Sequence, residues 1–441
     1  MIRRSMLGIA ALLCLFTALA QTAAARDDEP RRYPPPQNLP SYVIDETKLP
    51  FTPLPGTTTT PEWGVLDGAG YHIEVPANWN GELVMYAHGF AGYGADLAVQ
   101  DPPARPWLIA NGFAWAASSY AQNGYVVEQG AKDTLKLAKL FAQKHGQPTL
   151  RYLTGVSMGG HITAYGIERN RGFYDGALPA CGVLGDKELF DYFQSFHLLA
   201  QAITGVSASY PAPADYPVKT VPSLVAALGG PTGPGYQQLA AATQQMTGGT
   251  RIGFNVAYGS WFDFLMTVGA PPPGVAAFPA DNRRAVYQLD ADPALNPLET
   301  ALNAKVRKDT RLAYPAPDGV WSVARVKGDF DIPVLTMHTV GDLFVPFSME
   351  QSYASKAAAH GSDDWLVQRA IRDVGHCSFS EAEWNRSMGD LVAWVRGGPK
   401  PNADSMFQGL TNPDYGCQFS ENAGLFKGTA ARPAFGPCPV P

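Results

Sequence analysis

The stretch from Leu150 to Arg169 constrains this chain more than any other. Leu150 to Val156 (LRYLTGV) reads as a buried strand, and Gly155-Val156-Ser157-Met158-Gly159 continues it without a linker. A helix is expected from about Gly160 to Arg169. A strand that passes directly into a helix must turn through a sharp apex. Gly155 and Gly159 permit the close approach this needs, and Ser157 stands at the apex with its hydroxyl presented. The Gly-x-Ser-x-Gly string alone is a weak signal in a chain of 441 residues with 45 Gly and 38 Pro. The strand before it and the helix after it give it weight.

The surrounding pattern supports a parallel sheet covered by helices. Tyr71 to Val75 alternates like a strand, and Glu82 to Ala87 (ELVMYA) is an apolar run ending in His88-Gly89. Phe113 to Ser118 and Asp175 to Cys181 are further strands, and Lys132 to Lys144 has apolar residues at helical spacing. From Val183 to Val326 the rhythm changes to helical stretches, Lys187 to Ile203, Tyr236 to Met246 and Phe254 to Val268, separated by Pro- and Gly-rich joints. Strands return at Pro333 to Thr339 and Trp365 to Arg372, with helices at Ser348 to His360 and Glu381 to Val395. The expected organisation is a core over 61–182 and 327–397, with a helical insertion over 183–326. A Pro-rich arm over 26–60 precedes it, and a Pro/Gly-rich, Cys-containing tail over 398–441 follows. No internal repeat is found.

Composition narrows the function classes. The formal charge of −6, without a basic cluster, gives nucleic acid no positive face to bind and disfavours a membrane surface. Residues 1–25 read as a signal peptide. Arg3 and Arg4 form its positive end, Met6 to Ala20 its apolar centre, and Ala23 to Ala25 the small residues for cleavage. The apolar run is shorter than the roughly 20 residues that span a bilayer. The mature chain is therefore expected to be exported, with no membrane span. It retains Cys181, Cys377, Cys417 and Cys438, an even set suited to two disulfides, with Cys417–Cys438 the local pair. No Cys-x-x-Cys pair is present to suggest a metal site, and His72 and Glu74 lack a second pair to complete one. Without a Walker loop or Gly-x-Gly-x-x-Gly, no cofactor is expected.

Chemistry-bearing residues follow the strands in a fixed order. His88-Gly89-Phe90 ends one strand, Ser157 the next, Val340-Gly341-Asp342 a third and Gly375-His376-Cys377 a fourth. The backbone N–H groups of Phe90 and Met158 are placed to face a developing oxyanion. His88 is read as a structural hydrogen-bonder in its turn. With HGF, GVSMGG, GDLFVP and VGHC each after its own strand, the chain resembles the α/β-hydrolase superfamily over roughly residues 70 to 397. The resemblance implies that Ser157 is the nucleophile, His376 the general base and Asp342 the acid that orients it. It also implies an oxyanion hole at Phe90 and Met158 and a cap formed by residues 183–326.

Rival residues have simpler roles. His161, on the helix after Ser157, is expected to pack beneath the elbow, and His338, inside a strand, to be a satisfied core histidine. Asp186 is the alternative acid, while Asp331 and Asp373 are read as surface charges. Phe190, Tyr192, Phe193, Phe196, Trp261, Phe262 and Phe264 are expected mainly to bury the insertion's helices. A part of them lining an apolar or aromatic acyl pocket is the sharper alternative. The expected function is an exported serine hydrolase acting on a small-molecule or oligomeric carboxylic ester. The alternatives are a peptidase or amidase of the capped prolyl-aminopeptidase-like type, with Glu188, Asp191 and Asp263 available for an amino terminus, and a non-catalytic binding protein of the same fold.

Overall fold

The computed structural model describes residues 40–208, 213, 215–268, 280–311, 323–421, 435–436 and 438. The expected signal peptide and the start of the Pro-rich arm lie outside them. The main sheet comprises β2 (Thr59–Leu66), β3 (Ala69–Pro76), β4 (Glu82–Ala87), β6 (Ala114–Ser118), β7 (Leu150–Val156), β8 (Gly176–Ala180), β11 (Val334–Thr339) and β12 (Leu366–Ile371). Their order is β12-β11-β8-β7-β4-β6-β3-β2. From β12 to β6 all neighbours are parallel, and antiparallel pairing occurs only at β3 with β6 and with β2. Two short pairs complete the strands: β1 (Val43–Ile44) with β5 (Asp96–Leu97), and β9 (Ala280–Asp281) with β10 (Thr310–Arg311).

Side-chain alternation divides the core into two layers. On β4, Leu83, Met85 and Ala87 join α2 (Val127–His145), α3 (Met158–Arg169) and α9 (Ser348–His360) on one face. Val84 and Tyr86 join α1 (Arg105–Ala110) and α10 (Glu381–Val395) on the other. This period of two explains why the central strands read as continuous apolar runs: both faces are covered. A capping box at Ser380 and Glu383 starts α10, and Gly146 at φ 92° ends α2.

Between β8 and β11 lie α4 (Glu188–Thr204), α5 (Tyr216–Leu228), α6 (Pro234–Met246), α7 (Phe254–Val268) and α8 (Pro297–Lys305). Helix α4 buries Leu189, Phe190, Tyr192, Phe193 and Phe196 and packs against the other four. Burial of every residue from Tyr192 to Ala200 marks it as the internal helix of this group. Several elements were not expected from sequence, β2, α5 and α8 the longest among them. In β2, Pro61 and Gly64 mask the strand, and an edge strand tolerates both. In α5, Pro217 and Pro222 mask the helix. Helix α8 carries its own signal, an Asn296–Glu299 capping box. The described part of the tail covers the other sheet edge. Asp404 N–H donates to Gln368 O, Ala370 N–H to Asp404 Oδ2, and Arg372 N–H to Ser420 Oγ. Edge groups of β12 that would otherwise invite another chain are thereby paired.

Candidate functional site

The site is built at the C-terminal ends of β4, β7, β8, β11 and β12, where parallel sheets present their loops. Ser157 has φ 57° and ψ −122° between β7 and α3, a conformation L-residues rarely adopt. Its N–H donates to Ala180 O at 3.0 Å, which ties the apex to β8. The glycines make this turn possible. A Cβ on Gly159 would lie 2.0 Å from Ala87 O, and one on Gly155 2.3 Å from Gly159 O. Gly159→Ala is therefore expected to destabilise the protein by about 3 kcal/mol or more, read as a lower urea midpoint. Gly89 packs against the apex as well, since a Cβ there would come within 3.2 Å of Ser157 Cβ.

The acid and the histidine meet. Asp342 is fully buried, its Oδ1 accepts the N–H groups of Phe344 (2.9 Å) and Val345 (3.0 Å), and its Oδ2 lies 2.6 Å from His376 Nδ1. That contact fixes the imidazole with Nδ1–H toward the carboxylate and Nε2 free to accept a proton. Nε2 lies 3.4 Å from Cys377 Sγ, and Cys377 is bonded to Cys181 at the end of β8. No Ser157–His376 hydrogen bond is present among the described residues, and such bonds commonly tighten only when substrate is bound. At the neighbouring loop, no described hydrogen bond uses the Phe90 N–H. Met158 is the first residue of α3, so its N–H precedes the helix ladder.

With this strained apex on a mostly parallel sheet, and the acid and histidine loops beside it, the architecture is decided. The fold is that of the α/β-hydrolases. No protein-family model matches the chain. It is similar to the o-phthalyl amidase of Xanthobacter agilis, with 21% identity over 403 residues, 77% of this chain and 87% of the amidase. Among solved structures it is similar to an esterase from Aspergillus oryzae, with 16% identity and a TM-score of 0.43, covering 80% of this chain and 82% of that one. It is also similar to the Pyrococcus horikoshii acylaminoacyl peptidase, with 11% identity and a TM-score of 0.34, covering 71% of this chain. The alignment spans 37% of that peptidase's length.

Other residues of the hydrolase fold separate into supporting roles. His88 is buried, stacks on Tyr120 and faces the carbonyls of Gly89 and Ser119; burial lowers its pKa. His161 is held between the Tyr125 hydroxyl and Ala324 O, and burial pushes it down to about 4. Asp186 accepts from Lys356 Nζ at 2.9 Å and from Val326 N–H, away from His376's ring contacts. Asp331 is exposed beside Arg171. Asp373 corrects the sequence reading: it is fully buried, accepts Gly375 N–H at 2.8 Å and Ser378 Oγ–H at 3.0 Å, and shapes the His376 loop. An Asp two residues before a Gly is a turn signal that marks this role in the sequence.

Phe344, in the GDLFVP segment, was not singled out by sequence. Its ring meets His376 edge-on at 5.0 Å and packs with Phe264 (4.8 Å), Phe193 (6.1 Å) and Trp261 (6.3 Å). Trp261 also donates its indole N–H to Val374 O at 2.7 Å. Part of the aromatic set thus adjoins the histidine loop, while Phe190 and Phe196 are buried. A separate cleft of about 620 Å³ opens between α5, α6 and α7, with Tyr236, Tyr258, Phe262 and Asp263 in its lining. It is not adjoined by any of the loops that carry Ser157, Asp342 or His376.

Both disulfides expected from sequence are present, Cys181–Cys377 and Cys417–Cys438. With both sulfurs bonded to each other, the cluster of Cys181, His376 and Cys377 offers no thiolate to a metal. Replacing Cys181 and Cys377 together by Ala is expected to cost about 2–5 kcal/mol by urea unfolding. No helix among the described residues is long and apolar enough to cross a membrane.

Proposed function

We propose that the protein is an exported serine hydrolase that cleaves carboxylic esters through an acyl-enzyme. The observation that carries this is the 2.6 Å Asp342–His376 contact at the same sheet end as the strained Ser157 apex. His376 Nε2 accepts the Ser157 proton as Oγ attacks the substrate carbonyl. The new oxyanion is met by the Phe90 and Met158 N–H groups, the second at a helix N-terminus. The tetrahedral intermediate collapses as His376 returns the proton to the leaving alkoxide. Water, activated by the same imidazole, then releases the acid. Residues 183–326 act as the cap, and Phe344, Trp261 and Phe264 favour an aromatic acyl group. The disulfides suit export to an oxidising compartment.

Amide cleavage is the second reading, favoured by the amidase named among its relatives. Of the acids considered for holding an amino terminus, Glu188 is bonded to Ser352 and Asp191 to Lys187 and the Asp281 N–H. Burial raises the pKa of both. Only Asp263 faces a cleft, which weakens the aminopeptidase form of this reading. The test is the mature protein against p-nitrophenyl alkanoates, p-nitrophenyl benzoate, N-phthalyl amides and aminoacyl p-nitroanilides. Turnover of benzoate above the alkanoates supports the ester reading with an aromatic acyl group. Preference for the phthalyl amide replaces it by the second, and no turnover of any substrate defeats both.

A further inference from the structure

Behind Asp342 lies a second buried tier of charge. His338, on β11, is fully buried, with Nε2 2.8 Å from Val345 O and Nδ1 3.3 Å from Glu350 Oε1. Both neighbours are acceptors. A neutral imidazole has one N–H, so one nitrogen would turn a lone pair toward an acceptor, whereas an imidazolium donates to both. His338 Nε2 also lies 3.8 Å from Asp342 Oδ2, the oxygen that faces His376. Glu350, on α9, is fully buried too, and its Oε2 accepts from Thr336 Oγ1 and Gln368 Nε2.

On the other side of the acid loop stands Arg251, also buried. Its Nε–H donates to Val340 O at 2.8 Å, and its remaining bonds go to Thr247 Oγ1 and Gly249 O rather than to a carboxylate. Tyr192 O–H donates to Leu343 O at 3.1 Å, so the helical insertion grips the loop before and after Asp342. Buried carboxylates need a positive partner or hydrogen-bond donors close by, and His338 lies 3.3 Å from Glu350 and 3.8 Å from Asp342.

We propose that His338, held as an imidazolium between Glu350 and Asp342, is a positioning residue that keeps Asp342 aimed at His376 and sets a positive charge behind it, with Arg251 opposite. The inference rests on the triad reading above. Burial opposes the charge on His338, but Glu350, Asp342 and the Val345 carbonyl outweigh it and raise its pKa above the ordinary histidine value of 6.5. His161, equally buried but bonded to a hydroxyl and a carbonyl, goes the other way. A raised folded value means that the His338 proton stabilises the fold below pH 6.5, and that this contribution is lost as pH climbs through the raised value. The ionisable groups around this tier are Glu350 from α9, His376 and Asp373 from beyond β12, Arg251 and Tyr192 from the insertion, Tyr353 from α9, and Tyr415 from the tail.

Two readouts on the full chain test this. In ¹⁵N-histidine NMR at about pH 7, His338, assigned by its disappearance in His338→Gln, is expected to show two protonated nitrogens where His161 shows one. In the pH profile of kcat/KM, His338→Gln removes a cation from behind Asp342, which keeps its two backbone donors. The acid limb is then expected to move upward by roughly half a pH unit or more. A single protonated nitrogen on His338, or a limb that stays in place while kcat falls, overturns the proposal. If His338→Gln does not fold, Glu350→Gln supplies the same readouts, and His338 is expected to lose its second proton. Wild-type turnover in Asp342→Asn would instead defeat the triad reading, whatever the state of His338.

Discussion

Ser157→Ala is expected to lose turnover by about 10⁴- to 10⁶-fold while the protein keeps its fold. The hydroxyl is the only group removed, and among the described residues it makes no hydrogen bond that holds the structure together. The strain at φ 57° is carried by the backbone turn, which Ser and Ala occupy alike. The unfolding midpoint should therefore stay within about 0.5 kcal/mol of wild type. A fluorophosphonate probe should label the wild-type protein at Ser157 and leave the variant unmodified. Undiminished labelling of the variant would move the nucleophile elsewhere. Loss of turnover together with loss of fold would show instead that the hydroxyl is structural, and the Gly159→Ala result gives the comparison for a turn that has been broken.

The elbow was legible in the sequence because its chemistry is local. Leu150 to Gly160 encodes strand, turn and helix in one run, and its glycines make the close approaches to the neighbouring strand ends that the turn requires. Asp342 and His376 could be picked out for a related reason: each follows an apolar strand in a short Gly-containing exit, although Asp373 shares the exit with His376. The disulfide partners followed from an even count and from Cys417–Cys438 as the local pair, which leaves Cys181 with Cys377. What sequence did not reveal depends on pairing at a distance. Asp373 reads as an exposed loop acid until Gly375 and Ser378 fold back on it. His338 and Glu350 are separated by a loop and a helical turn, and only the packing of α9 on β11 makes them a pair. Arg251 lies 91 residues before Asp342, inside an insertion whose path no local pattern fixes. Phe344 carries no local signal, and its place among the aromatic rings depends on α7 arriving from the insertion. Local turn chemistry is written in consecutive residues, whereas the shell that positions it is assembled by tertiary contact.

The orienting acid gives the second large effect, and here two residues compete. Asp342→Asn is expected to lower kcat by about 10⁴-fold, because the amide no longer fixes Nδ1–H and the wrong tautomer turns N–H toward the serine. Removing the carboxylate also removes the anion that favours the imidazolium form. The histidine then stays neutral, and able to accept a proton, to lower pH, so the acid limb of kcat/KM should move downward. This is the opposite sign to the His338→Gln shift, so the two variants separate the acid's charge from the cation behind it. Asp186→Asn makes the contrast. Its carboxylate is occupied by Lys356 on α9 and by the Val326 N–H, so the variant should keep both turnover and the position of the limb and lose only part of a half-buried ion pair. A crippled Asp186→Asn beside a nearly wild-type Asp342→Asn would transfer the orienting role to the exit of β8, and with it the reading of the 2.6 Å contact as the working pair.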